Sequence, residues 1–270
     1  MPSGDITFSG FSIGKITGST GVIEIAGGGF FAYTNTAWNL PFKGTQIDKC
    51  LVFDVSYSGA NSPSAPSIAL DAGQITLSGP GLPGGSIILP EVNTPGSIGP
   101  IYTTMPSTLV DGGTYTLTGA GGTQVEAFKT SATLPNNFTT NASTISSIDR
   151  TKPLPITWTG TGFQDLIISV NGTTLSGTNV HQVVVTCVVA ANLGTYSIPT
   201  AALSKLPAVA GALSGGIGSL SVTTSPAVTG TVSSQSGTST SLTPNLVGGG
   251  KITYGAFAPF YAVQESVTIQ

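Results

Sequence analysis

The residues whose types could do chemistry are few: two cysteines, Cys50 and Cys187, a single histidine, His181, and eleven Asp and Glu side chains. Both cysteines sit in apolar strand patterns. They can be joined as a disulfide, which an oxidising compartment preserves, or packed as two buried thiols, and the sequence leaves both readings open. A metal site needs His, Cys and carboxylate ligands in a cluster, which one histidine at the start of a strand does not supply. A Ser-His-Asp triad would have to take His181 as its base, and no Gly-x-Ser-x-Gly elbow surrounds a candidate nucleophile. Paired carboxylates for glycoside cleavage would have to come from acids such as Asp71, Asp111, Asp149 and Asp165, which fall at strand ends or turns. An Asp there fixes the turn through its own side chain, and that is the preferred reading. A calcium loop would need an Asp-x-Asp-x-Asp-Gly run, which is absent. The glycine triplets at 27–29 and 248–250 are read as turns, since neither leads into a helix bearing the Lys-Ser/Thr pair of a phosphate cradle. The expectation is no catalytic, cofactor or metal site and no enzyme activity.

Aromatic side chains are the remaining lead. Phe30, Phe31, Tyr33 and Trp38 cluster ahead of Pro41, and Phe257, Phe260 and Tyr261 cluster near the C-terminus. A flat aromatic platform stacks on sugars, while the plainer alternative is that these rings plug the ends of a sandwich. Tyr33 and Trp38 are the candidate ligand-binding pair.

The elements that must position these residues are legible in composition and period. The 270 residues include 37 Gly and 18 Pro, and charged side chains make up only 7%, with a net charge of −3. The eight cations are scattered from Lys15 to Lys251, so no basic face exists to follow a nucleic-acid backbone. Hydrophobic residues at 39% argue against a disordered chain. No run of about 18 or more apolar residues suggests a membrane-spanning helix. Met1-Pro2-Ser3-Gly4 lacks the basic and apolar regions of a signal peptide, and the low-charge, Thr/Ser/Gly-rich composition favours a mature exported chain with its leader removed.

Apolar residues alternate with Thr or Ser over short runs bounded by Gly, Pro, Asn or Asp, which is a strand pattern. In Lys49 to Tyr57, Leu51, Phe53, Val55 and Tyr57 share one face, and that face is expected to be core. Thr114–Gly119 and Gln124–Leu134 predict a hairpin. Asn171-Gly172 predicts another, because both residues accept positive φ. Val180–Ala190 suits a central strand, and Pro199–Leu206 alone looks helical. The polar stretch 135–146 is the expected boundary between an N-terminal sandwich, 1–145, and a C-terminal one, 146–270. The fold class expected is all-β, with two immunoglobulin-like β-sandwich domains in tandem and one short helical turn.

Several runs carry a resemblance: Leu70-Asp-Ala-Gly-Gln-Ile-Thr-Leu-Ser-Gly-Pro80, Gly113-Thr-Tyr-Thr-Leu-Thr-Gly-Ala-Gly-Gly122, Ile148-Asp-Arg with Ile156-Thr-Trp-Thr-Gly160, and Val185-Thr-Cys187 through to Leu203-Ser-Lys-Leu-Pro207. They resemble uncharacterised secreted immunoglobulin-like β-sandwich proteins of acidobacteria, over about Cys50 to Pro207. The resemblance implies export and immunoglobulin-like sandwiches, and it implies no reaction or cofactor. The Cys–Trp–Cys order of antibody domains is not reproduced by Cys50, Trp158 and Cys187.

The functional expectation is an exported, extracellular or cell-surface structural protein, self-assembling by strand addition from its terminal segments, Pro2–Phe31 and Tyr254–Gln270. On that reading, removing the first thirty residues abolishes assembly and leaves the fold. The alternative is a carbohydrate- or surface-binding adhesion module that takes surface glycans as its partners.

Overall fold

The computed structural model describes residues 6–19, 21–33, 44–58, 67–92, 100–210, 216–225, 227–228, 235–236, 240–252 and 254–270. The chain is all-β. The main strands of its large sheet are, in chain order, β1 (Ile6–Gly18), β2 (Gly21–Tyr33), β3 (Thr45–Ile47), β4 (Cys50–Ser58), β5 (Glu91–Val92), β6 (Ile101–Thr104), β7 (Asp165–Ser176), β8 (Asn179–Ala190), β9 (Gly216–Ser225) and β10 (Tyr254–Ser266). They lie in the order β3-β4-β8-β7-β9-β10-β1-β2-β6-β5, with Ser67–Ala69 added on β2 and Thr240–Ser241 on β10. Among the described strands of this sheet, only β1 and β10 run parallel.

Alternation along the strands buries one face. Leu166, Ile168 and Val170 of β7 and Val183, Val185, Cys187 and Val189 of β8 point inward between more exposed neighbours. This face meets Ile156, Trp158, Ile198, Leu203, Leu206 and Ile269, contributed by the strands Leu154–Thr161 and Thr195–Ile198, the helical turn Thr200–Leu203 with the residues just after it, and the C-terminal pair Thr268–Ile269. That packing is the second core, and the first core lies under the other half of the sheet. There Phe11 and Ile13 of β1 and Ala26 and Phe30 of β2 meet Ile75, Leu77, Leu89, Tyr115 and Leu117 of a four-stranded covering sheet. The Phe30 ring centroid stands 5.2 Å from Phe11 on its own sheet and 5.2 Å from Phe128 on the covering sheet.

The two cores follow the expected division at 145/146 only in part, because strands cross it in both directions. Cys50 and Val52 pack with residues 142–269, and Leu242, Leu246, Ile252 and Phe257 pack with residues 11–134. The terminal strands are not spare either. β1 is paired along both sides, to β2 and β10, and β10 lies between β9 and β1. Removing the first thirty residues therefore takes out Phe11, Ile13, Ala26 and Phe30 from the first core, so the fold would not survive that deletion.

Three local expectations are corrected. Cys50 and Val52 face the core, so alternation turns Leu51, Phe53, Val55 and Tyr57 outward, and Leu51 is 42% exposed. The face is fixed by the partner strand, where Cys187 and Val185 sit opposite Cys50 and Val52 and point inward. Asn171-Gly172 lies inside β7, and the turn into β8 comes later, with Gly177 at φ 61°. Gly172 serves close approach instead, since a Cβ there would stand 2.9 Å from Pro207 Cδ and 3.2 Å from Ile269 Cδ1. Gly27–Gly29 likewise continue β2, because a side chain on Gly28 would collide with the Gly10 carbonyl oxygen of β1. The hairpin of Thr114–Gly119 forms, with Phe128–Thr133 as partner. The helical stretch is one turn, started after Pro199 and closed before Pro207.

Because Phe30 bridges both layers of the first core, Phe30→Ala is expected to cost about 3–5 kcal/mol. Chemical denaturation measures it, and a loss below about 1 kcal/mol would place Phe30 outside the core.

Candidate functional site

Cys50 and Cys187 face each other directly across β4 and β8 and are joined by a disulfide that closes a separation of 137 positions. The bond sits at the sheet's β3–β4 edge, covered by the Tyr196 hydroxyl, 3.4 Å from Cys50 Sγ. That hydroxyl donates to Asp48 Oδ2 at 2.8 Å. Burial, reinforced by the Asp48 carboxylate, pushes the Tyr196 phenol well above its ordinary range.

His181 lies on the same inward face as Cys187, Val185 and Val183, at the point where the core ends. Its row across the sheet is Ser56 of β4, His181 of β8, Thr174 of β7 and Gly216 of β9. Past Val183 the face turns polar. His181, Ser56, Thr174, Ser176, Asn179, Val180 and Tyr57 line an open depression of about 290 Å³. The imidazole Nε2 is 2.9 Å from Asp54 Oδ1, a diagonal contact that ties β8 to β4. No hydroxyl among the described residues hydrogen-bonds the imidazole. The depression offers hydroxyls, an amide and one aromatic ring, a set suited to a neutral polyhydroxylated ligand.

Asp149 fixes its turn as its spacing suggests, Asp71 does so in part, and Asp111 does not. Asp71 Oδ2 accepts the Thr123 N–H at 2.9 Å and the Thr123 hydroxyl at 2.8 Å, and its Oδ1 accepts the Gly73 N–H at 2.8 Å. The Thr123 and Gly73 N–H groups, with the Thr123 hydroxyl, hold this carboxyl below its usual range. Asp149 is held low in the same way by the Thr151 hydroxyl, Lys152 and the Thr151 N–H. Asp111 departs from this pattern. Its Oδ1 accepts from Lys15 Nζ at 2.7 Å and from the Tyr261 hydroxyl. Burial pulls the Asp111 carboxyl up, and those two hydrogen bonds pull it further down, below the ordinary carboxylate range. Nothing in the spacing of Lys15, Asp111 and Tyr261 announces their meeting.

The aromatic candidates divide. Trp38 and the Tyr33 side chain lie outside the described residues. Phe30, Phe257 and Tyr261 are buried, which is the core-plug alternative for those rings. Among the described residues no three His, Cys, Asp or Glu side chains gather where a metal could be held, and no helix is long and apolar enough to cross a membrane.

No protein-family model and no curated protein matches the chain. The fold and site define a class only, a β-sandwich-like all-β protein with a disulfide at one sheet edge.

Replacing both cysteines by serine, or reducing the native chain, is expected to lower unfolding stability by about 2–5 kcal/mol, as for other native disulfides. Denaturant melts with and without reductant test this, and a midpoint unmoved by either treatment would refute the bond.

Proposed function

We propose that this chain is an exported, non-enzymatic structural protein of the cell surface or of an extracellular assembly, built to hold together under tension. The observation that carries the reading is the parallel pairing of its first strand, β1, with the long strand β10, from Phe8 opposite Tyr254 to Thr17 opposite Val263. The start of β1 and the end of β10 lie at opposite ends of that pair. A pull between the start of β1 and the end of β10 slides the strands along each other and strains the evenly spaced bonds of the parallel ladder together. A pull applied at one end of a pair breaks bonds one after another. The disulfide supports export, since such bonds persist in oxidising compartments. The resemblance to secreted immunoglobulin-like sandwich proteins points the same way. Because the terminal strands are committed to the chain's own sheet, assembly by strand addition would proceed through exchange of the β1–β2 hairpin between copies.

Single-molecule pulling tests the reading, since forced unfolding reports the unfolding barrier in the direction of pull. Pulling between position 6 and position 266, the start of β1 and the end of β10, is expected to need a clearly higher force than pulling between positions 6 and 254, where the β1–β10 pair would peel. Equal forces in the two geometries would sink the proposal.

A second reading, a glycan-binding surface module, is favoured by the depression beside His181, with its hydroxyls and the Tyr57 ring. Binding to an array of neutral glycans should then fall about tenfold in Tyr57→Ala and in His181→Ala, the equivalent of about 1.4 kcal/mol each. Binding that ignores both substitutions, or no binding at all, removes this reading.

A further inference from the structure

Charged residues are scarce in this chain, yet three of them meet at one place. Lys15 of β1 and Glu24 of β2 are register partners. The lysine Nζ lies 3.6 Å from Glu24 Oε1, with side chains only 18% and 12% exposed. Asp111 comes from the turn before Thr114–Gly119, 96 positions away in the chain, and brings its Oδ1 to 2.7 Å from the same Nζ. That oxygen also accepts the Tyr261 hydroxyl. The Tyr261 ring is buried, has Nζ 5.8 Å from its centroid, and stacks on Phe138 at 6.4 Å.

The frame around these groups is tied down. Glu24 Oε2 accepts the Leu109 N–H at 2.7 Å. The fully buried Tyr115 accepts the Val110 N–H at 2.7 Å and donates to the Pro80 carbonyl at 2.9 Å, which fixes the residue next to Asp111. An exposed ion pair contributes little to stability and joins flexible side chains. This arrangement differs in three respects. The amine is largely shielded although Asp111 itself stays 44% exposed, a second carboxylate faces the amine, and a phenol donates to a carboxyl oxygen.

We propose that Lys15 and Asp111 condense to an intramolecular isopeptide bond, with Glu24 as proton relay and Tyr261 as donor to the carboxyl oxygen. A proton passes from the Lys15 ammonium to the Asp111 carboxylate, leaving a neutral amine and a carboxylic acid. The Nζ lone pair adds to Cγ, and the negative charge that develops on Oδ1 is met by the Tyr261 hydroxyl. Glu24 accepts a proton from the nitrogen and returns it to the Oδ2 hydroxyl, which departs as water. The Nζ–Cγ bond forms, the Cγ–Oδ2 bond breaks, and no oxidant, reductant or co-reactant enters. Fixed contact supplies an effective concentration of about 10⁵–10⁸ M, which lysine and aspartate free in water lack.

The test is the intact mass of the full chain, unfolded and reduced. The wild type is expected to be lighter than its sequence by one water, and proteolysis should release the segment containing Lys15 joined to the segment containing Asp111. Lys15→Arg keeps the ion pair but cannot form the bond, so it should show the full sequence mass. Glu24→Gln should lose most of the cross-link. A wild type at full sequence mass overturns the proposal. So does a water loss that persists in Lys15→Arg or disappears with hydroxylamine, because Asp111 precedes Gly112 and that pattern marks a succinimide. Complete cross-linking in Glu24→Gln would overturn the relay.

Discussion

The seating of β1 between β2 and β10 is the constraint on which both layers of the molecule depend. Its thirteen residues are paired along one side with β2 and, from Phe8 to Thr17, with β10 along the other. The strand carries Phe11 and Ile13 into the first core, and its polar residues anchor distant chain. The Ser9 hydroxyl donates to the Leu242 carbonyl, and the Thr7 hydroxyl donates to that of Lys251 at 3.4 Å. β10 in turn brings Phe257 to the first core and Val263 to the second. Buried backbone groups must find partners, so displacing β1 would strand donors and acceptors on two neighbours at once.

Packing and covalent closure divide the remaining work between the two halves. In the second core the alternating faces of β7 and β8 meet Trp158, whose indole N–H donates to the Ala191 carbonyl at 2.8 Å. Arg150 closes that end of the layer by donating to the Gln270 carbonyl at 2.9 Å and the Leu206 carbonyl at 2.8 Å. β4, next to the short edge strand β3, is held to β8 by the disulfide and, further along, by the His181–Asp54 contact. Along β4 the outward row Leu51, Phe53, Val55 and Tyr57 gives this end of the sheet an apolar exterior, while the middle of the same surface is polar, with Asn171 accepting from Gln182 and Thr173.

Low charge shapes the chemistry as well. With so few ionisable groups, the meeting of Lys15, Glu24, Asp111 and Tyr261 stands out against a surface of hydroxyls and amides. Burial pushes the Tyr261 phenol well above its ordinary range, with the Asp111 carboxylate adding to the effect, so the hydroxyl keeps its proton and stays a donor. The stacked Phe138 ring belongs to the layer over the second core, so this cluster lies where the two halves of the molecule meet.

By itself the sequence determined the strand period, the all-β class, the Thr114–Gly119 hairpin, the single helical turn bounded by Pro199 and Pro207, and the turn role of Asp149, because each of these depends on neighbours a few residues away. A period of two separates the faces of a strand without saying which face turns inward. For β4 that was decided by Cys187 and Val185, more than 130 positions further on. Glycine is equally ambiguous locally: Gly177 makes a turn, whereas Gly172 and Gly28 sit in mid-strand because Pro207 and the Gly10 backbone press against them. The tertiary structure alone decided that the cores exchange strands across residue 145, that Asp54 meets His181, and that Lys15, Glu24 and Asp111 converge. Each of these rests on sheet order, which follows from long-range pairing and packing rather than from any local pattern.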